Sequence, residues 1–319
     1  MMTRRPLGRT GLSISPLVFG GNVFGWTADK PTSFDLLDRF AAAGFETVDT
    51  ADVYSIWKPG NHGGESETIL GEWMQARGCR NRMVIITKVG MELGPDRKGL
   101  SAAWIARAVE DSLRRLQTDH IDVYLSHKFD PDTPHEETLA AYQKLIDAGK
   151  VRAIGASNFD AAQLRAALEA STKGLPRYEV LQPEYNLYDR KAYDGALRDL
   201  AMAEGLGVIT YFSLARGFLS GKYRGEADLG QSPRGGGIKA YLNERGFRIL
   251  QVLDDVAARH GAKPAEVALA WLMERPGVTA PIASATGLDQ LESLIRSASL
   301  ELDREDLAQL EAAGREEAP

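Results

Sequence analysis

Short apolar runs alternate with longer segments of helical periodicity along the whole chain. A short apolar run bounded by turn signals is typical of a strand buried on both faces, whereas apolar residues that recur once per helical turn predict an amphipathic helix. The apolar runs predict strands at 17–20, 45–48, 83–87, 121–125, 151–156, 178–182, 207–211 and 278–282. Predicted helices follow them at 32–43, 65–75, 102–116, 134–148, after a cap at Asn158 or Asp160, and at 191–204, 243–260 and 289–297. Repeated strand-helix units over this length predict a (β/α)8 TIM barrel of the α/β class.

The remaining segments predict additions to the barrel. Two short stretches around Gly8-Arg-Thr-Gly11 predict an N-terminal β-hairpin that caps one end. Predicted helices at 263–274 and 304–311 are extra C-terminal helices. No stretch has the composition of a linker, so we expect residues 1–319 to form a single domain. Segment 212–242 is long and glycine-rich, and we interpret it as a flexible cover over a ligand, with a plain surface excursion as the alternative.

Composition narrows the classes of partner. The chain has 319 residues, of which 44% are hydrophobic, and its net charge of −6 includes no basic cluster, so we expect no nucleic-acid partner. Cys79 is the only cysteine, which excludes an internal disulfide and fits a reducing compartment. No apolar run reaches the roughly 18 residues of a membrane span, so we expect no membrane association. These features predict a soluble, cytoplasmic protein that acts on a small molecule.

Three predicted strands end in residues that can carry chemistry. Asp49, Lys88 and His127 follow apolar runs directly, and Tyr54 comes shortly after Asp49. Barrel enzymes keep their catalytic residues at the carboxyl ends of the strands, so we expect these side chains to share one site. Taken singly, a lysine at a strand end is more often an ion-pair partner, and a histidine is more often structural. Four such residues at one end of the barrel predict a catalytic site.

The sequence lacks the motifs of Rossmann, P-loop and metal sites. No Gly-x-Gly-x-x-Gly follows a predicted strand, so a Rossmann nucleotide site is not indicated. Segment 217–222 is one residue short of a P-loop, and Tyr223 stands where Ser or Thr is needed. The five histidines and the single cysteine show no metal-ligand spacing, so no metal site is predicted.

Several motifs then resemble one family in order and spacing. They are Val48-Asp-Thr-Ala-Asp-Val-Tyr54, Thr87-Lys88, Asp122-Val-Tyr-Leu-Ser-His127, Gly149-Lys-Val-Arg-Ala-Ile-Gly-Ala-Ser-Asn-Phe159, Leu181-Gln-Pro-x-Tyr-Asn186 and Gly217-Phe-Leu-Ser-Gly-Lys-Tyr223. The chain resembles the aldo-keto reductases from Leu7 to the last barrel helix, with features of the bacterial and potassium-channel-β-like branch. The resemblance implies hydride transfer from a nicotinamide cofactor to an aldehyde or ketone.

The resemblance also implies roles for single residues. Tyr54 would be the general acid, and Lys88, held by Asp49, would lower the pKa of Tyr54 because a cation stabilises the phenolate. His127 would orient the carbonyl group and stabilise developing negative charge. The positions that match cofactor-binding residues, besides Asp49, are Gly21, Asn22, Ser157, Asn158, Gln182, Tyr211, Phe212, Ser213, Leu214, Arg216, Gly217, Leu219, Gly221, Lys222, Ser284, Thr286 and Gln290.

Within that set, Ser157, Asn158 and Gln182 would bind the nicotinamide carboxamide, and Tyr211 would stack on its ring. The glycine-containing loop with Lys222 would wrap the pyrophosphate. The alternative interpretation stays open: Ser157, Asn158 and Gln182 would cap strand ends, and Tyr211 would be a core residue.

The adenosine end departs from the family pattern. Ser284 stands where Gly is usual, Thr286 brings no charge to a 2′-phosphate, and Leu294 stands where an Asn is common. The resemblance favours NADP(H), and NAD(H) stays open as the alternative.

Alternative interpretations remain for the residues at the mouth of the site and for the function of the protein. Segment 55–65 is longer than usual, and with Trp26, Trp57 and Phe129 it is predicted to shape the substrate pocket, although surface aromatics also have a purely structural interpretation. A nucleotide-binding accessory or sensor subunit with slow or vestigial turnover is the alternative to a working reductase. A phosphosugar isomerase or aldolase on the same barrel is a third hypothesis, which predicts no nicotinamide site.

Overall fold

The fold is a closed barrel of parallel strands surrounded by helices. The structure is a computed structural model that describes residues 3–233 and 235–315. The barrel strands are β3 (Val18–Gly20), β4 (Thr47–Asp49), β5 (Val84–Val89), β6 (Ile121–Ser126), β7 (Val151–Ser157), β8 (Val180–Gln182), β9 (Gly207–Thr210) and β10 (Ala280–Ala283). Each pairs with the next in chain order, and β10 closes the barrel by pairing with both β9 and β3. The predicted (β/α)8 architecture is confirmed.

The helices cover the outside of the barrel. They are α1 (Lys30–Ala42), α2 (Glu65–Arg77), α3 (Ala102–Leu116), α4 (His135–Asp147), α5 (Ala161–Ser171), α6 (Ala196–Ala203), α7 (Glu244–His260), α8 (Pro264–Met273), α9 (Leu288–Ser297) and α10 (Arg304–Gly314). Asp29, Ser101, Asp160, Asn243 and Asp303 cap helices by accepting from backbone N–H groups of the first turn. Asp160, and not Asn158, is therefore the cap of α5. Most predicted boundaries are correct to within a few residues.

The N-terminal hairpin closes the bottom of the barrel, as predicted. Its strands are β1 (Arg5–Pro6) and β2 (Ser13–Ile14), and Leu7, Leu12 and Ile14 pack in the apolar cluster inside the barrel. Gly8 has a φ of 57°, and a Cβ atom there would lie 2.5 Å from the carbonyl oxygen of Glu179. Glycine is therefore required where the hairpin meets the amino ends of the strands.

Two predicted segments differ from the structure. The helix expected at 191–204 begins only at Ala196, because Gly195, directly before it, has a φ of 89° and a ψ of −132°, outside the helical region. Segment 212–242 contains local order that its glycine-rich composition did not predict, and its interpretation as a cover over a ligand stays a prediction. It contains 3-10 helices at Ala215–Ser220, Glu226–Gln231, Gly235–Gly237 and Lys239–Tyr241, and its buried side chains join the core between the barrel and the helices.

Within 3–233 and 235–315, no helix combines the length and the apolar character needed to cross a bilayer.

Candidate active site

Strand alternation brings the candidate residues to one end of the barrel. Val84 and Ile86 of β5 lie in the apolar cluster inside the barrel, so Lys88 shares their inward face. Val123 and Leu125 of β6 establish the same alternation for His127. At the carboxyl end of each strand, one residue continues the inward face. From β3 to β10 these residues are Gly20, Asp49, Lys88, His127, Ser157, Gln182, Tyr211 and Ser284. The barrel therefore gathers eight predicted or neighbouring site positions around one opening.

Lys88 is the centre of this site. Its ammonium group is fully buried and donates to Asp49 Oδ2 at 2.7 Å, to the carbonyl of Thr50 at 2.7 Å and to the Tyr54 hydroxyl at 3.2 Å. An ammonium has three hydrogens, and each has an acceptor here. Because the Tyr54 oxygen accepts from Lys88, the hydrogen of that hydroxyl stays available for another acceptor.

A chain of hydrogen bonds continues from Asp49 around the opening. Gln182 Nε2 donates to Asp49 Oδ1 at 2.7 Å, and Ser157 Oγ donates to the Gln182 carbonyl at 2.9 Å. Asn158 Nδ2 donates to the His127 carbonyl at 2.8 Å and to Ser157 Oγ at 3.1 Å. The Tyr211 hydroxyl donates to Asn158 Oδ1. The ends of β4 to β9 are thus held together by side chains.

Electrostatics keep Lys88 charged. Burial lowers the pKa of Lys88, but Asp49 and Tyr54 raise it by more, so the net pKa lies above the ordinary value. Loss of hydration raises the pKa of Tyr54, and the opposing effect of Lys88 is smaller. The net pKa of Tyr54 is therefore raised, contrary to the lowering implied by the resemblance. Lys88 acts in the expected direction, but in this setting dehydration prevails.

His127 is a buried, neutral imidazole beside Tyr54. Its ring centroid lies 6.0 Å from that of Tyr54, and its Nδ1 has no hydrogen-bond partner in the described part of the chain. Burial lowers the pKa of His127 well below its ordinary value, and Lys88 and Lys128 act in the same direction. A neutral imidazole can donate one hydrogen bond without carrying charge into the site.

Two tryptophans line the mouth near Tyr54. The Trp57 ring centroid lies 5.6 Å from that of Tyr54, and the Trp26 centroid lies 5.7 Å from that of Trp57. Phe129 belongs to a second aromatic group. Its ring contacts those of His135 and Phe159, at centroid distances of 5.6 and 5.8 Å. Trp26 and Trp57 therefore form one aromatic group with Tyr54, and the place of Phe129 in the substrate pocket stays a prediction.

The segment after β9 has the backbone shape of an anion-binding loop. Phe212, Ala215 and Arg216 have positive φ angles, as do Gly217 and Gly221. Left-handed residues among right-handed ones turn successive N–H groups toward one side, which is the geometry that binds phosphates. Within the predicted set, the side chains of Ser213 and Leu219 are buried in the protein and are not open to the mouth. Lys222 is exposed and Leu214 is partly buried.

The remaining predicted residues follow the carboxyl ends of β3 and β10. Gly21 and Asn22 lie in a 3-10 turn directly after β3, and Ser284 Oγ donates to Asn22 Oδ1 at 2.6 Å. Gln290 Oε1 accepts from the backbone N–H and the hydroxyl of Thr286 at 2.9 and 3.1 Å. Because β3 and β10 are neighbours in the barrel, these residues form one group of polar side chains on the same side of the mouth.

Comparison with known proteins decides the family. A family model described as "Aldo/keto reductase family" matches residues 16–315. The chain belongs to the aldo/keto reductase family.

Relatives of this aldo/keto reductase include enzymes and a channel subunit. It is 37% identical over 316 residues to an uncharacterized oxidoreductase, YrpG, of Bacillus subtilis (strain 168), which covers 95% of the chain and 93% of the relative. It is 33% identical over 302 residues to a probable voltage-gated potassium channel subunit beta of Oryza sativa subsp. japonica, covering 91% and 89%. It is 32% identical over 318 residues to norsolorinic acid reductase stcV of Emericella nidulans, covering 94% and 78%. The family and the oxidoreductase names support carbonyl reduction as the general activity.

The structure adds site features of this aldo/keto reductase that the sequence did not suggest. The Thr50 carbonyl accepts from Lys88, a backbone contact without any side-chain signal. Gln182 holds Asp49, although it matched a cofactor position. Glu65 accepts backbone N–H groups from Ser55, His62 and Gly63 and thereby shapes the loop that carries Trp57. The only sequence signal for Glu65 was its place directly after two glycines at a helix start.

Proposed function

We propose that this aldo/keto reductase transfers a hydride from a reduced nicotinamide dinucleotide to an aldehyde or ketone, with Tyr54 as general acid. The observation that carries the proposal is the contact between Lys88 and Tyr54. The Tyr54 oxygen accepts from the ammonium group, so the hydroxyl hydrogen is free to be donated to a carbonyl oxygen placed next to it. When bound, the reduced nicotinamide supplies the hydride to the carbonyl carbon.

The proton balance follows from the site residues. As the carbonyl carbon gains the hydride, its oxygen takes the proton from Tyr54, and the O–H bond of the tyrosine breaks. The phenolate that remains lies next to the Lys88 ammonium, which stabilises it by charge. Water then restores the tyrosine proton. The raised pKa of Tyr54 keeps the hydroxyl protonated at neutral pH, which is the form that an acid needs before each turnover.

His127 would hold the substrate in place. A neutral imidazole donates a hydrogen bond to the carbonyl oxygen without competing with Tyr54 for the proton. Because His127 is buried next to Tyr54, a carbonyl oxygen within reach of both would be polarised from two sides.

The proposed dinucleotide site uses the polar ring around the mouth. Asn158, Ser157 and Gln182 would bind the carboxamide, with Tyr211 against the nicotinamide ring and the loop at 212–222 around the pyrophosphate. These contacts require some of the present hydrogen bonds, such as that from Tyr211 to Asn158, to exchange partners. Family resemblance favours NADP(H), and Thr286 with Gln290 would then face the 2′-phosphate.

The test is oxidation of NADPH and of NADH at 340 nm with a panel of aldehydes and ketones. Wild type should consume one cofactor, and Tyr54→Phe should lose about 10²- to 10⁴-fold in kcat, the usual contribution of a general acid. Cofactor binding by Tyr54→Phe, measured by protein fluorescence, should be unchanged. Retained turnover in this variant would remove Tyr54 from the mechanism.

A second candidate function is a nucleotide sensor, favoured by the similarity to a potassium channel subunit beta. The same assay separates the two. Tight cofactor binding with negligible turnover of every carbonyl compound would replace the reductase by the sensor.

A further inference from the structure

The loop after Tyr54 places a large, exposed aromatic side chain next to the proposed acid. Trp57 is 44% exposed, yet its ring meets that of Tyr54 at 62° and that of Trp26 at 85°. The exposed ring is therefore not a lone surface residue but part of a row of three aromatic rings that ends at the proposed acid, Tyr54.

This loop is held in place by polar contacts at its base. Glu65 accepts from the backbone of Ser55, His62 and Gly63 at 3.3, 2.6 and 3.0 Å. Asn61 Nδ2 donates to the carbonyls of Ser55 and Gly25 at 3.0 and 3.1 Å. The last bond joins the Trp57 loop to the segment that carries Trp26.

Ser55 makes the same connection from the other side. Its hydroxyl is buried and contacts the carbonyls of Phe24 and Asn22 at 3.0 and 3.2 Å. The two tryptophan-bearing segments are therefore one unit, and the aromatic surface is present before any substrate arrives. Such pre-organisation lowers the entropy lost on binding.

The chemistry of this surface selects the shape of the ligand. The rings that meet Tyr54 are Trp57 and neutral His127, so this wall offers flat, uncharged surface. Aromatic rings gain from offset or edge contacts with other aromatics beyond the apolar area they bury, and a puckered saturated ring of equal size does not. Resting on the proposed reductase function, we infer that the substrates are planar aromatic carbonyl compounds and that Trp57 is the residue that selects them.

The experiment compares two aldehydes of similar size, benzaldehyde and cyclohexanecarbaldehyde. The ratio of their kcat/KM values is measured in wild type, Trp57→Ala, Trp57→Phe and Phe247→Ala. Trp57→Ala should lower the ratio about tenfold, roughly the gain from one or two aromatic contacts. Trp57→Phe should retain most of it, because a flat ring remains. Phe247→Ala is the matched control, since Phe247 is 43% exposed on α7, and it should leave the ratio unchanged.

The ratio separates selection from a general effect on catalysis. A disturbed Tyr54 would lower both kcat/KM values equally, and an equal loss in Trp57→Ala would overturn the inference. Binding of the inert analogues benzamide and cyclohexanecarboxamide, measured by calorimetry, gives a readout without turnover. Wild type should prefer benzamide and Trp57→Ala should not; equal binding of both amides by wild type would also overturn the inference. If wild type reduces other carbonyl compounds of the panel but not benzaldehyde, the inference fails and the proposed function stands. If it reduces no carbonyl compound, the proposed function fails, whereas the preference for benzamide still tests the aromatic surface.

Discussion

Lys88 donates to Tyr54 across 3.2 Å while its other two hydrogens bind Asp49 and the carbonyl of Thr50. The ammonium group has no freedom to turn away, because all its hydrogens have acceptors. A fixed positive charge therefore lies next to the oxygen that must carry negative charge after proton transfer. This relationship links the ion pair inside the barrel to the proposed chemistry at its mouth.

Removal of that charge should affect both activity and stability. Lys88→Met should lower kcat by about 10²-fold or more, because the phenolate loses its stabilising cation. It should also cost about 3–5 kcal/mol in the free energy of unfolding, because buried Asp49 is left without its partner. Urea unfolding and steady-state kinetics measure the two effects.

The double variant Asp49→Asn/Lys88→Met separates the two effects. It should regain part of the stability and none of the activity. Recovery of activity in the double variant would show that the cation is not needed.

The neutral state of His127 predicts a specific pH dependence. The folded pKa of His127 lies well below its unfolded value of about 6.5, so the unfolded chain binds more protons in the window between the two values. Its contribution to stability is therefore complete above that window and is lost as the pH falls below about 6.5. His127→Asn should flatten this dependence of the urea midpoint. NMR of the imidazole should show no titration between pH 6.5 and 8; a titration in that range would contradict the neutral assignment.

Asp52 should destabilise the fold at high pH. It is buried, and within the described residues neither carboxyl oxygen has a hydrogen-bond partner. Burial raises the pKa of Asp52 well above its ordinary value, and Glu67 adds to this, whereas Arg115, the Val53 N–H and Lys88 oppose it. A cavity of about 20 Å³ lies next to it, enough for about one water molecule.

Because the folded form keeps the proton longer than the unfolded chain, the wild type should lose stability as the pH rises from about 4. Asp52→Asn cannot ionise, so its stability relative to wild type should increase with pH, with a gain on the order of 1–3 kcal/mol by pH 8. Chemical unfolding at a series of pH values measures the difference. Asp111→Asn, which changes a more exposed carboxylate on the same cavity, should show a much smaller trend.

Close packing of α2 on α3 depends on Gly71. A Cβ atom at this position would lie 2.2 Å from the Arg115 carbonyl oxygen and 2.6 Å from the carbonyl carbon of Leu116, both of them backbone atoms. Gly71→Ala should therefore force the helices apart and cost about 1–3 kcal/mol. Thermal unfolding checks the value. Gly230→Ala, where the added atom meets nothing within 4 Å, should cost far less.

The local sequence pattern was sufficient to predict much of the fold. The helix predicted at 102–116 has the observed bounds, because its apolar stripe and the cap at Ser101 both belong to neighbouring residues. Strand alternation also placed Lys88 and His127 at the same end of the barrel, since the inward face repeats every second residue and parallel strands end together. For segment 212–242 local pattern was insufficient, because its glycines gave no sign of the 3-10 helices it contains or of the apolar residues that pack in the core.

Contacts between residues distant in sequence could be identified only from the tertiary structure. Gln182 binds Asp49 across 133 positions of sequence, and no local pattern encodes that hydrogen bond. The direction of the Tyr54 pKa likewise depends on how much water the fold removes, weighed against the charge of Lys88. Sequence by itself determined the barrel, its hairpin cap and the residues at the strand ends, because periodicity and turn signals are local. Only the tertiary structure decided which of those residues bind one another and which aromatic rings meet Tyr54, because burial and distance are properties of the closed barrel.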